Sequence, residues 1–346
     1  MRNSINVGKA LGIPIKLHVS FLLILPLIIW SFTQNPAPFG FRNSSFGYTR
    51  YLFSTVTTFL LFSCIILHEL SHSYIALKNG INIRSITLLI FGGLASLEKM
   101  PRDPKVESKM AIAGPVMSMM LGALFFTLYM LSASLIDGKS GLTLLNEMAA
   151  SLYSEGGGVA VFELTILFFI LGNVNFMLAI FNLLPAFPMD GGRFLRAYLA
   201  ERMPYLRATK LAVYLGKIIA ILMGLFGVFA TIFGFSSNPL LVLVAFFVYI
   251  AASEEEKATI IEMSLEGLKV KDLLENEGES SYVLDDTIPP DAASISSEDD
   301  AVEALRAMTQ KDIGRLIVTE DGKVVGVLSR SNLIKAIRAI EQKRGR

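Results

Sequence analysis

His68-Glu69-Leu70-Ser71-His72 lies inside the apolar run 52–77, and its place there decides how the chain is read. Histidines four residues apart on a helix sit one turn above the other on the same face, so both imidazoles can grip one zinc ion. The glutamate between them falls beside the metal's water, where a general base is needed. The motif uses two of the three histidines in the chain. Ionisable groups inside a membrane helix cost roughly 2.5–3.5 kcal/mol each on insertion scales, and they are functional by default.

Working outward, the 346 residues allow two or three domains. A mean hydropathy of +0.55 with 18% charged residues is too apolar for a soluble protein of this length. The net charge of +1 gives no electrostatic footprint for nucleic acid. One cysteine, Cys64, excludes an internal disulfide and a thiolate zinc cage. It lies one turn before His68 and reads as a small buried residue, with a fourth ligand or a redox switch as the alternative. The N-terminus lacks the small-residue cleavage site of a signal peptide and is expected to be retained.

Six stretches read as membrane-crossing or membrane-embedded: 17–33, 52–77, 109–136, 161–184, 211–234 and 239–252. Basic residues gather in two of the intervening loops. Lys78, Arg84, Lys99, Arg102, Lys105 and Lys109 lie between the second and third spans. Arg193, Arg196, Arg202, Arg207 and Lys210 lie between the fourth and fifth. The loops on the other side carry only Arg42, Arg50 and Lys139. The positive-inside rule then places both termini in the cytoplasm of a multi-pass cell-membrane protein. His72 and His68 precede Lys78 by six and ten residues, which sets the metal roughly 9–15 Å below the cytoplasmic surface.

Segment 81–98 is β-branched, partly alternating and broken by Gly92-Gly93; Ile13 to Val19 alternates likewise. Both point to a small sheet at the cytoplasmic face. Strand backbone at membrane depth requires cover by protein or a water cavity. His18 reads as a strand or interface residue. Asn173 and Asn175, in the fourth span, suit either interhelical hydrogen bonds or a water path.

Two histidines are half a catalytic zinc site, for which three protein ligands plus water is usual. Asp190 is the candidate third, in Asn182-Leu-Leu-Pro-Ala-Phe-Pro-Met-Asp190-Gly-Gly-Arg193. Pro185, Pro188, Gly191 and Gly192 break the helix, so a carboxylate can turn back towards the second span. The plainer reading is that Asp190 caps the next helix.

His68-Glu69-Leu70-Ser71-His72, together with Asn182…Pro185…Pro188-Met189-Asp190-Gly191, resembles the site-2 protease family of intramembrane zinc metalloproteases. Phe91-Gly92-Gly93 and Ala113-Gly114-Pro115 match that family's habits, and the resemblance spans about residues 5–250. It implies one zinc ion per chain held by His68, His72 and Asp190, with Glu69 as general base. It places Asn182 by the metal, where its amide helps hold the substrate carbonyl or its oxyanion. Substrates would be single-span membrane proteins, among them membrane-anchored regulators such as anti-sigma factors or tethered transcription factors. A helical substrate hides its amides and must unwind before attack. Phe91, Gly92 and Gly93 are candidate substrate-binding residues, since an extended segment can add to a strand edge. The loop 137–160 is too short for the PDZ domain that some members carry.

Composition shifts after Ala252. A charged linker is expected over 253–294, then a soluble α/β module over 295–346 with a lead-in from about 268. Ile295–Ala301, Leu316–Val318 and Asp321–Ser329 resemble a cystathionine-β-synthase-type (CBS) motif. Such modules usually pair and bind adenine nucleotides. One full copy is visible here, and Ser329-Arg-Ser-Asn332 carries Asn where members often have a ribose-holding Asp. A single copy points to homodimerisation. The fold class expected is thus a polytopic α-helical membrane protein of about six transmembrane helices, with a small membrane-associated β-sheet and a soluble CBS-type domain. Two rivals stand beside the protease: a membrane transporter, and an inactive zinc-binding scaffold, each with a regulatory CBS tail. Clustering of the ionisable groups at one depth argues against the first, and the intact Glu69 against the second.

Overall fold

Each of the six apolar stretches is helical over most of its described residues. They form α1 (Val19–Gln34), α2 (Gly47–Lys78), α3 (Pro104–Asp137), α4 (Val159–Leu183), α6 (Tyr205–Ile232) and α7 (Pro239–Leu265), with the short amphipathic α5 (Asp190–Ala200) between α4 and α6. The computed structural model describes residues 4–44, 47–89, 92–97, 103–137, 159–232, 239–274, 293–321 and 323–344. The loop read as too short for a PDZ domain falls almost wholly outside them. Among the described residues, α2, α3, α4 and α6 are long and apolar enough to cross a membrane. α1 is apolar but 16 residues long, and α7 starts apolar and becomes charged beyond Ala252. The chain divides into two units, residues 2–252 and 253–346.

In the first unit, four strands form one sheet in chain order: β1 (Ser4–Ala10), β2 (Ile13–His18), β3 (Ile83–Leu89) and β4 (Gly92–Leu97). β1 and β2 are antiparallel, β2 and β3 parallel, β3 and β4 antiparallel. β2, β3 and β4 answer to the strand segments read from the sequence. β1 does not, because Gly8 interrupts its short apolar alternation. Its turn was legible in principle: Leu11 and Gly12 both take positive φ, of 52° and 77°, as a two-residue hairpin of type I′ requires. His18 ends β2 and caps α1, its Nδ1 accepting from the Ser20 amide at 3.2 Å.

α3 and α4 pack closely because glycine clears the way on each. A Cβ on Gly122 would press on the Phe176 ring, and one on Gly172 would lie 3.3 Å from the Phe126 amide. The adjoining core holds Phe41, Tyr129, Phe162, Ile166 and Leu171. Several buried polar side chains answer to their own helix. Thr58 donates to the Ser54 carbonyl, Asn173 to Phe169 and Asn175 to Leu171, each one turn back. Asn175 also meets Cys64 across the α2–α4 contact. Cys64 is buried.

The second unit has a three-stranded sheet, β5 (Ser294–Ser296), β6 (Arg315–Glu320) and β7 (Lys323–Ser329), with helices α8 (Ala301–Lys311) and α9 (Arg330–Arg344). β5 and β6 are parallel, and β6 and β7 form an antiparallel hairpin. Its core includes Leu265, Val270, Ile295, Met308, Leu316 and Leu328. Part of the segment read as a linker is therefore ordered. Residues 253–265 continue α7, since Glu254 to Lys257 are good helix formers and Glu254 pairs with Lys257 at 2.8 Å. Val270–Leu273 make a 3₁₀ turn, whose Val270 and Leu273 point into the core. Residues 275–292 of that segment lie outside the described ones.

Glu298 clamps this lead-in, accepting from both Lys269 and Lys271, the latter at 2.6 Å. The two ammonium donors bring its carboxyl from an ordinary 4.5 down to about 2. A lowered carboxyl adds stability above its unfolded value and loses it as pH falls through the folded one. The groups are exposed, so the effect is small. Glu298→Gln should therefore lower amide protection over 269–273 slightly at neutral pH. The difference from wild type should fade between about pH 4.5 and about pH 2, as read by hydrogen exchange.

Candidate metal centre

Three side chains from two distant parts of the chain converge in the first unit: His68, His72 and Asp190. The histidines share one face of α2. Asp190 opens α5, with Met189 at the cap position, so its carboxylate also faces a helix N-terminus, where negative charge is favoured. The chain reverses sharply between α4 and α5. A Cβ on Gly191 would strike the carbonyls of Leu183 and Leu184, and one on Gly192 would lie 2.6 Å from the Phe187 amide. Both glycines are thus needed for the turn that brings Asp190 back to α2.

Asp190 Oδ2 lies 3.2 Å from His68 Nε2 and 3.1 Å from His72 Nε2. The two Nε2 atoms are 3.2 Å apart. Zinc–ligand bonds of ~2.0–2.1 Å in a tetrahedron put neighbouring ligand atoms ~3.3–3.4 Å apart. The triangle has that size, and the donor set of two imidazoles and one carboxylate suits a catalytic zinc with an open position.

The other ring nitrogens are already engaged. His72 Nδ1 donates to the Met110 carbonyl at 2.6 Å, and His68 Nδ1 meets Ser118 Oγ at 2.8 Å. A proton on Nδ1 leaves the Nε2 lone pair facing the triangle, the tautomer a metal ligand needs. Met110 and Ser118 both belong to α3, and Gly114 lies between them. A Cβ on Gly114 would collide with Nε2 of both histidines. Ala113-Gly114-Pro115 therefore acts here by close approach. Sequence reading found the motif but missed Met110 and Ser118. The signal was the spacing 110, 114, 118 on one helix face.

Glu69 lies beside β4: a Cβ on Gly93 would fall on the Glu69 side chain, 3.1 Å from Oε1. Phe91 lies outside the described residues. Asn182 sits in the last turn of α4 and gives one amide hydrogen to the Leu178 carbonyl at 3.0 Å; it is not one of the groups in the triangle.

Residues 56–223 match the family model described as Peptidase family M50, and residues 285–339 the CBS domain. A zinc metalloprotease of Methanocaldococcus jannaschii is 33% identical over 335 residues, covering 97% of this chain and 80% of its own. The chain belongs to peptidase family M50. A Synechocystis relative is 37% identical over 197 residues, covering 57% of this chain and 44% of its own length. The solved structure of a site-2 protease from M. jannaschii is 36% identical and covers 73% of this chain and 95% of that one, with a TM-score of 0.43. This M50 peptidase is thus a membrane protein and an intramembrane zinc protease that carries a CBS domain. Family membership leaves the transporter and scaffold readings behind.

The M50 centre depends on an absent side chain at Gly114. Gly114→Ala should lower retained zinc about tenfold or more, as loss of ligand orientation does, with helix content unchanged. Metal analysis after dialysis, beside circular dichroism, reads both.

Proposed function

We propose that His68, His72 and Asp190 hold the zinc ion, one per chain, and that Glu69 is the general base working beside it. The observation that carries this reading is the near-equilateral triangle of Nε2, Nε2 and Oδ2, with both Nδ1 atoms occupied behind it. Bound there, zinc supplies a Lewis acid and brings the pKa of its water towards ~7. Glu69 takes the proton of the attacking water and delivers it to the nitrogen of the leaving segment. Asn182 keeps one amide hydrogen beyond the one given to Leu178, and that hydrogen steadies the substrate carbonyl oxygen as negative charge develops.

The substrate is read as an extended segment of a single-span membrane protein, laid along the free edge of β4. Two observations support it. Among the described residues β4 is an end strand of its sheet, and its Gly93 abuts Glu69. Main-chain pairing to the edge holds the segment extended, and Gly92 and Gly93 offer backbone there. Membrane-anchored regulators cut by regulated intramembrane proteolysis are the substrate class that the family resemblance favours. The basic residues between positions 78 and 109 and between 193 and 210 support a multi-pass arrangement in the cell membrane with both termini cytoplasmic.

We read residues 1–252 as the protease domain and 295–346 as a single CBS-type motif with its lead-in from about 268. Asn332 Oδ1 accepts from the Ser329 amide at 3.2 Å and from its hydroxyl, an N-terminal capping role for α9. That use of the acceptor argues against an adenine-nucleotide contact through Asn332, and the single visible copy is what supports homodimerisation.

Glu69→Gln tests the chemistry. Cleavage of a single-span substrate in detergent should fall about 10²–10⁴-fold, with zinc content unchanged and wild-type cleavage abolished by chelator. Equal cleavage by both proteins at matched zinc would refute the base assignment. Gly93→Ala, whose methyl displaces the Glu69 side chain, should likewise lower turnover while sparing zinc; a parallel loss of zinc would mean that Gly93 serves the fold.

A further inference from the structure

Arg196 is the largest fully buried side chain among the described residues, at 1% exposure, and its partner Glu107 is 3% exposed. Arg196 Nε and Nη2 both donate to Glu107 Oε1, at 2.8 and 2.5 Å. The guanidinium lies over the Phe187 ring at 4.9 Å and the Tyr205 ring at 5.1 Å. A buried ion pair is a poor stabiliser, because the cost of stripping water from two charges offsets most of their attraction. Stability alone does not account for one here.

Its placement does. Glu107 is on α3, and residues 107, 110, 114 and 118 recur every three or four positions along one face. That face orients both histidines: Met110 holds His72, Ser118 holds His68, and Gly114 makes room for their Nε2 atoms. Arg196 is on α5, six residues after Asp190. Phe187 belongs to the turn that leads into Asp190, and Tyr205 opens α6. One guanidinium therefore fastens the helix that orients two ligands to the helix that presents the third. It does so from about 10 Å along α3 from Gly114, and neither partner is among the groups of the triangle.

We propose that Arg196 is a positioning residue for the zinc centre: its pair with Glu107 fixes the rotation of α5 that brings Asp190 Oδ2 onto the two imidazoles. The proposal rests on the assignment of His68, His72 and Asp190 as ligands. It requires the fork and flat face of arginine. Lysine keeps the charge but loses the two-pronged bond and the stacking plane.

The test uses the full chain in detergent. Zinc affinity is measured by chelator competition, and the thermal midpoint is taken with zinc and with EDTA. Arg196→Lys should weaken zinc binding about 10- to 100-fold, the range for groups that orient metal ligands. The rise in midpoint on adding zinc should shrink, since a ligand stabilises only in proportion to its binding, while the midpoint in EDTA stays near wild type. If that variant does not fold, the double variant Glu107→Met with Arg196→Met replaces the pair by apolar groups of similar length, a change that cores tolerate; the same loss of affinity is expected. Equal lowering of both midpoints with unchanged zinc affinity would overturn the proposal, leaving a purely structural pair. Asp190→Ala runs alongside. Wild-type zinc affinity in Asp190→Ala would overturn the ligand assignment, and the proposal with it. Lost affinity there with wild-type affinity in Arg196→Lys would overturn the positioning role alone.

Discussion

Three polar atoms from α2 and α5 must meet at about 3.2 Å in the midst of apolar helices, and much of the first unit can be understood as meeting that demand. Imidazole rings are broad, so two of them on one helix face hold neighbouring helices away. Gly114 removes the obstacle on α3 and lets its backbone lie directly behind both rings. A helix that must return to the same point within a few residues cannot carry side chains on its inner bend. Gly191 and Gly192 supply the bare backbone there.

Two kinds of buried polar group recur in this unit. Hydroxyls and amides such as Thr58 and Asn173 bond back to their own helix, which satisfies them without any partner and lets small residues line helix contacts. His68, His72, Asp190, Glu107 and Arg196 instead bond between helices. Those bonds have direction and fix rotation as well as distance. Apolar contact is tolerant of a few degrees of helix rotation; a shared carboxylate oxygen is not.

The helices and the core of the centre were legible because each rests on a local rule. A run of apolar residues needs only its own length to be read. H-E-x-x-H needs only the helical repeat, and the Pro and Gly residues around Asp190 announce a turn. What was not legible is what depends on which helices become neighbours. Ser118, the Met110 carbonyl and Glu107 have no motif of their own. Their 3- and 4-residue spacing around Gly114 acquires meaning only once α3 is known to lie behind α2. β1 was missed for the opposite reason: Gly8 weakens a local signal that pairing with β2 restores. Residues 253–265 looked like linker because they are charged, yet charge alone does not oppose a helix whose residues favour one.

The two histidines are held from behind by different kinds of group, and this gives them unequal genetic fragility. His68 leans on the hydroxyl of Ser118, which a single nucleotide change can erase. His72 leans on the main-chain carbonyl of Met110, which every amino acid carries. Drift at position 110 can alter packing but cannot delete that acceptor, short of breaking α3 itself. The contact anchored by backbone is buffered against mutation, whereas the one behind His68 depends on which side chain stands at position 118.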